Sequence, residues 1–196
     1  MNRRFSLLCV FAALLTVWTI ETSALRARAA EGESALPKVG DKAKDFTLKT
    51  LAGDEVKLGE LTKQGPLVLV MLRGYPGYQC PICSRQVGSL LGSADAIAES
   101  GAKVLLVYPG PAAELDAKAK EFLGKRMLPD HILFATDPDY SFTLAYNLRW
   151  DAARETAYPS TFVIDREGLI RFAQISMTHG GRADTKTVLA ELTKLK

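Results

Sequence analysis

Cysteine and histidine are scarce in this chain, at 3 and 2 of 196 residues. A closed zinc site wants about four such ligands. His131 follows Pro129-Asp130 beside an apolar run, and His179 sits in a polar stretch before Gly180-Gly181. Both read as surface or strand-edge residues, so no metal and no cofactor is expected. An excess of either charge is also missing. Residues 1–29 hold Arg3, Arg4, Arg26 and Arg28 against Glu21, and the remainder carries 21 basic and 21 acidic residues. That balance gives no support to a nucleic-acid surface. Internal repeats and low-complexity tracts are absent. What is present is a globular composition, 47% hydrophobic and 24% charged, long enough for one domain with its own core and no need of a disulfide scaffold.

Long apolar runs are missing except at the start. Arg3 and Arg4 precede the apolar stretch Phe5 to Ile20, and Ala27-Arg28-Ala29 is a small-x-small site. This pattern predicts a secretory signal peptide over 1–29, with a domain over 30–196, and so an exported, periplasmic or extracytoplasmic protein. An uncleaved membrane anchor is the alternative. At ~1.5 Å per residue the run spans about 24 Å, against a hydrocarbon core of roughly 30 Å. Cys9 follows the bulky Leu8 with no spacer, which argues against a lipoprotein. Its loss with the signal would leave two cysteines.

Further on, Asp45 to Lys49 and Glu55 to Leu58 alternate in hydrophobicity around Ala52-Gly53-Asp54, which predicts a hairpin. Leu67 to Leu72 is continuously apolar, as in a strand buried on both faces. A loop from Arg73 to Gln79 follows. Helical spacing then runs through Val87, Leu90, Leu91, Ala94 and Ile97 to a stop at Gly101. Val104 to Tyr108, Ile132 to Phe134, Thr161 to Ile164 and Leu169 to Ala173 read as strands. Ala112 to Lys125, Ser141 to Leu148 and a last segment capped by Asp184 read as helices. Hairpin, βαβαβ, then ββα predicts an α/β fold, a central sheet flanked by helices with an antiparallel edge.

Cys80 and Cys83 lie where a buried strand ends and a helix begins. Open α/β sheets place chemistry at the carboxyl ends of their strands. A helix start offers unpaired N–H groups and the positive end of the macrodipole, and both favour a thiolate. Pro81 suits a first turn, where its missing N–H costs nothing. The spacing puts the two sulfurs within reach of one disulfide. A Cys-x-x-Cys pair is either a redox centre or half of a metal site. An inert structural disulfide would gain little from so short a loop. In a redox centre the first cysteine is ordinarily the more exposed, which makes Cys80 the attacking and Cys83 the resolving residue.

Val39-Gly40-Asp41, Asp45-Phe46-Thr47-Leu48, Gly53, Val56, Leu58, the Leu67–Leu72 strand, the cysteine loop and Thr161 to Gly168 together resemble the AhpC/TSA branch of the thioredoxin-like superfamily, which includes the peroxiredoxins. The resemblance spans nearly all of residues 37–196. It implies a thioredoxin-like fold with an extra N-terminal β-hairpin. It also implies two registers for the same sulfurs. Thioredoxin-like reductases carry Cys-x-x-Cys and a later proline, here Pro159 between Tyr158 and Ser160, which in the family is cis and packs against the active disulfide. Peroxiredoxins carry Pro-x-x-x-Thr/Ser-x-x-Cys, which Pro76 to Cys83 fits with Cys80 in the hydroxyl position. On that match Cys83 is peroxidatic and Cys80 resolving. The chain departs from the peroxiredoxin pattern at Cys80 and at Pro159, where the family typically has arginine. Arg73, Arg149, Arg154 and Arg182 are possible substitutes, with Arg73 the best placed.

Three readings result. The leading one is an exported thiol–disulfide oxidoreductase acting on protein thiols and disulfides, served by a redox donor protein. The second is an antioxidant thiol peroxidase. The third, from the fold shared with Sco-type copper chaperones, is a copper carrier, although their cysteines are spaced one residue wider. Tyr75, Tyr78 and Tyr158 are expected around the sulfurs, forming the docking surface.

Overall fold

The computed structural model describes residues 35–195. The expected signal segment, Cys9 and the boundary at residue 29 lie outside them. Among the described residues, no helix is long and apolar enough to cross a membrane.

Seven strands form one mixed sheet. In chain order they are β1 (Thr47–Thr50), β2 (Glu55–Lys57), β3 (Leu67–Met71), β4 (Lys103–Gly110), β5 (Ile132–Pro138), β6 (Ser160–Ile164) and β7 (Ile170–Ile175). Across the sheet the order is β2-β1-β5-β4-β3-β6-β7. β3, β4 and β5 run parallel, and β6 and β7 add antiparallel strands beyond β3. The N-terminal hairpin joins the other side, with β1 antiparallel to β5.

The apolar run of β3 is explained by its two faces. Val68, Val70 and Leu72 enter one core with Val87, Leu90 and Ile97, whereas Leu67, Leu69 and Met71 enter the other with Leu58, Leu61 and Phe142. Burying one such side chain stabilises by about 1.5 to 3 kcal/mol, so each face helps hold β3 in register. The helices are α1 (Leu58–Gln64), α2 (Pro81–Leu91), α3 (Ala94–Glu99), α4 (Ala112–Leu123), α5 (Ser141–Ala145) and α6 (Thr185–Thr193). The first core takes residues from α2, α3, α4 and α6, and the second takes residues from α1 and α5.

Several details differ from the sequence expectation. Leu58 starts α1 instead of ending a strand. The single helix expected from Cys80 to Gly101 is two, divided at Gly92 and Ser93, where Ser93 leaves helical geometry. Glycine costs about 1 kcal/mol against alanine inside a helix, and here it marks the break. β5 extends past Phe134 to Pro138. Its end is anchored by Asp137, which accepts from the Phe142 and Thr143 N–H groups at 2.8 and 2.9 Å and from both the Ser141 and Thr143 hydroxyls.

The chain passes from β3 to β4 and β5 on one side, then returns to place β6 on the other. The carboxyl end of β3 therefore lies at a topological switch point, the crevice where open α/β sheets bind ligands.

Candidate active site

Beyond β3 the chain must turn sharply. Gly74 supplies the turn at φ +74°, and a Cβ there would lie 2.0 Å from the Pro109 carbonyl oxygen. The loop is clamped at its far end by Gln79, which donates to the Lys118 carbonyl and accepts from the Tyr108 hydroxyl at 2.8 Å. Cys80 then caps α2, its sulfur accepting the Cys83 N–H at 3.5 Å, and Pro81 opens the first turn. Cys83 sits one turn inside the helix. Its sulfur accepts the Arg73 N–H at 3.4 Å. Both cysteines are free and buried.

The two sulfurs differ in acidity. The Cys83 thiol donates to the Cys80 sulfur, and although burial opposes ionisation, the Cys83 and Ile82 N–H groups and the nearby Arg182 charge add to that donation. The Cys80 thiol is lowered to about 5 as a result. Cys83 moves the opposite way. Its proton is held in the bond to Cys80 and its burial is deeper, so its ionisation is pushed well up despite Arg182.

Arg182 is the guanidinium that reaches the sulfurs among the described residues. Its Nη2 lies 3.5 Å from Cys83 Sγ and 4.0 Å from Cys80 Sγ. Its Nη1 donates to Gln86 at 3.1 Å, and Gln86 donates in turn to the Thr161 hydroxyl of β6. The residue follows Gly180-Gly181, where Gly181 has φ +65° and a Cβ would press on Ser176. That glycine pair after β7 is the sequence signal for a chain folding back over the site.

Arg73, the substitute favoured from sequence, has another task. It is 2% exposed. Its side chain donates to Glu155 at 2.8 Å, to the Arg154 carbonyl at 3.0 Å and to the Tyr78 hydroxyl. Only its main-chain N–H meets a sulfur. Glu155 also pairs with His179 at 2.8 Å. Arg149 is spent on the Trp150, Glu155 and Thr156 carbonyls. Arg154 contributes its carbonyl to Arg73.

The remaining expected residues divide. Tyr78 lies against the Arg73 guanidinium, 5.1 Å from ring centroid to carbon. Tyr158 stacks on Trp150 at 5.0 Å, and Tyr75 lies under the Lys118 ammonium at 4.5 Å. The three tyrosines thus pack against three different partners. Pro76 is half-buried in the cysteine loop. Pro159 is buried immediately before β6, which pairs Ser160 with Met71 of β3. The expected cis bond is not found: among the described residues every peptide is trans. The Tyr158 N–H donates to the Leu148 carbonyl and the Pro159 carbonyl accepts the Ser176 N–H. His131 Nε2 is buried without a partner. Among the described residues no three His, Cys, Asp or Glu side chains converge as a metal site.

The family model described as Redoxin matches residues 38–189. Peroxidoxin BcpB from Mycobacterium tuberculosis is a similar solved structure, with TM-score 0.63, 20% identity, and 82% of this chain and 99% of that chain covered. A peroxiredoxin-like protein from Aquifex aeolicus gives 0.65, 19%, 84% and 91%. The mitochondrial 2-Cys peroxiredoxin from Plasmodium falciparum gives 0.62, 17%, 80% and 93%. These likenesses establish the fold. No match is found among curated proteins.

Proposed function

Because the chain belongs to the Redoxin family and is a thiol-dependent oxidoreductase, we propose that it exchanges disulfides through a Cys80/Cys83 couple, outside the cytoplasm. The Cys80 thiolate attacks a substrate disulfide, and a mixed disulfide forms as one substrate thiolate leaves. Cys83 then gives up its proton and attacks the Cys80 sulfur. The second substrate thiol departs and an intramolecular disulfide remains. A donor dithiol, of thioredoxin-like type, returns two electrons. The observation that carries this reading is the placement of the two sulfurs: Cys80 caps α2 and its sulfur accepts the Cys83 N–H at 3.5 Å, while Cys83 lies one turn inside the helix. A Cys80 thiol of lowered pKa at a helix start is the nucleophile such exchange needs, and a protonated, buried Cys83 is the resolving thiol.

Insulin reduction tests it. Turnover should need both cysteines, and Cys83→Ser should trap a mixed disulfide at Cys80. Trapping at Cys83 in the Cys80→Ser variant instead would reverse the assignment. Export rests on Arg3, Arg4, Phe5 to Ile20 and Ala27 to Ala29. N-terminal sequencing of the protein recovered from cells should find a start near residue 30.

A second reading has its own support. Two donors, the Arg73 N–H and Arg182 Nη2, converge on Cys83. As a peroxidatic thiolate, Cys83 would attack a peroxide oxygen, releasing water or alcohol and leaving a sulfenic acid. Cys80 would condense with it, and water would leave as the disulfide forms. Hydrogen peroxide consumption abolished by Cys83→Ser, with a sulfenic acid on Cys83 in Cys80→Ser, would favour this reading over the first.

A further inference from the structure

A cavity of about 220 Å³ lies beside the sulfur pair, lined by Ile82, Arg85, Gln86, Arg182, Asp184 and their neighbours. Ile82 stands between the two cysteines, and Arg182 is the residue that touches both sulfurs. The cavity is therefore one side chain away from the reacting atoms. Two of its walls are guanidinium groups. Arg182 is engaged by Gln86 and the sulfurs. Arg85 is exposed, two residues past Cys83 on α2, and its side chain has neither an ion pair nor a hydrogen bond among the described residues. The one carboxylate on the wall, Asp184, is held by its own helix, Oδ1 accepting the Lys186 N–H at 3.0 Å. A cavity of about 460 Å³ at the other end of β3 is different. There Arg166, Arg171 and Lys194 are matched by Asp165, Glu167 and Glu191. The cavity beside the sulfurs has a cation to spare, and the other does not.

We propose that the Arg85–Arg182 cavity is a subsite for the carboxylate of an anionic thiol or disulfide, and that Arg85 is a specificity-determining residue. This inference rests on the thiol–disulfide reading and names the substrate class of the same site. A carboxylate in the cavity would meet an unpaired fork of N–H donors at Arg85, which suits planar bidentate recognition. Its disulfide would lie near Cys80. The reaction is balanced by the substrate. The dithiol loses two electrons and becomes the Cys80–Cys83 disulfide, while the substrate disulfide gains them and leaves as two thiols.

The test uses the reduced protein as recovered from cells and two aromatic disulfides. One is the dianionic 5,5′-dithiobis(2-nitrobenzoate) and the other is the neutral 4,4′-dithiodipyridine. The readout is the ratio of second-order rate constants, anionic over neutral. Arg85→Ala should lower that ratio about two- to fivefold, the size of one charge pair at an exposed position. Arg85→Glu should lower it further, and added salt should shrink the difference between the variants. Lys63→Ala removes an exposed cation from α1 and should leave the ratio unchanged. An unchanged ratio in both Arg85 variants overturns the subsite while leaving the Cys80/Cys83 exchange intact. A fall of equal size in Lys63→Ala overturns it as well, since net charge would then be the cause. If neither probe oxidises the pair to its intramolecular disulfide, the thiol–disulfide reading fails and the subsite fails with it.

Discussion

The acidity of Cys80 should depend on the side chain at position 83 more than on any charge nearby. The largest contribution to the lowered value of about 5 is the hydrogen bond from the Cys83 thiol. A hydrogen bond to a charged group contributes about 1.5 to 3 kcal/mol, and about 1.4 kcal/mol moves a half-titration point by one pH unit. Cys83→Ala removes the donor outright, so Cys80 should half-titrate at a pH higher by about 1 to 2. Cys83→Ser keeps a hydroxyl donor and should fall between wild type and the alanine variant. The assay is the rate of iodoacetamide alkylation of Cys80 across the acidic and neutral range, checked by the ultraviolet absorbance of the thiolate. At neutral pH wild-type Cys80 should be almost wholly thiolate, whereas an ordinary cysteine shows only a few per cent. Two results would refute the reasoning. One is an alanine variant that still half-titrates near wild type, which would mean Cys83 is not the donor. The other is a wild-type midpoint in the ordinary thiol range, which would remove the asymmetry altogether.

Further outcomes follow from the same geometry. Arg182→Gln should destabilise the thiolate form by about 1 kcal/mol and make the couple more reducing by roughly 20 mV, read by equilibration with a glutathione buffer. Glu155→Gln should cost about 3 kcal/mol in urea unfolding, because it leaves the buried Arg73 guanidinium without its anion. Gly74→Ala should lower the unfolding midpoint and slow alkylation of Cys80, since the new Cβ collides with the Pro109 carbonyl at a left-handed position. Stability of the reduced form, compared with a variant lacking both thiols, should vary with pH in a defined sense. Cys80 is more acidic folded than unfolded, so its contribution is present above the ordinary thiol value and is lost as pH falls through about 5. Cys83 is less acidic folded, so its contribution is full below the ordinary value and is lost as pH rises above it. The difference should peak near the ordinary thiol range, and a monotonic profile would contradict the opposed shifts.

The parts of the fold that were legible in the sequence are those dictated by local pattern. Leu67 to Leu72 announced a strand buried twice over, and Pro81 with Val87 and Leu90 announced the helix that carries the cysteines. Asp184 marked a helix start, and it does cap α6 through the Lys186 N–H. Where local pattern was weak, the reading slipped. Leu58 fitted both the alternation of a strand and the first apolar position of a short helix, and tertiary packing with Leu61 decided for the helix. Leu90, Ala94 and Ile97 kept one helical face through Gly92, so the periodicity concealed the break.

The identity of the arginine at the site was not local at all. Arg73 was favoured because it ends the strand that feeds the loop. Arg182 holds the position because the β6–β7 hairpin and the Gly180-Gly181 turn return the chain some hundred residues later. Glu155 completes the exchange of roles by claiming the Arg73 side chain. Nothing in the spacing of residues 73, 155 and 182 encodes that partition. It emerges only when three loops are brought to one end of the sheet.

The contact between Arg73 and Cys83 is made by an amide. Side-chain replacement leaves the donor in place, and among the common residues proline alone deletes it. An alanine scan over this loop would therefore score position 73 as a folding defect, from the emptied guanidinium site, and pass over its share in the chemistry. Separating the two would take a backbone edit, an ester in place of the amide at residue 73, with the arginine left intact.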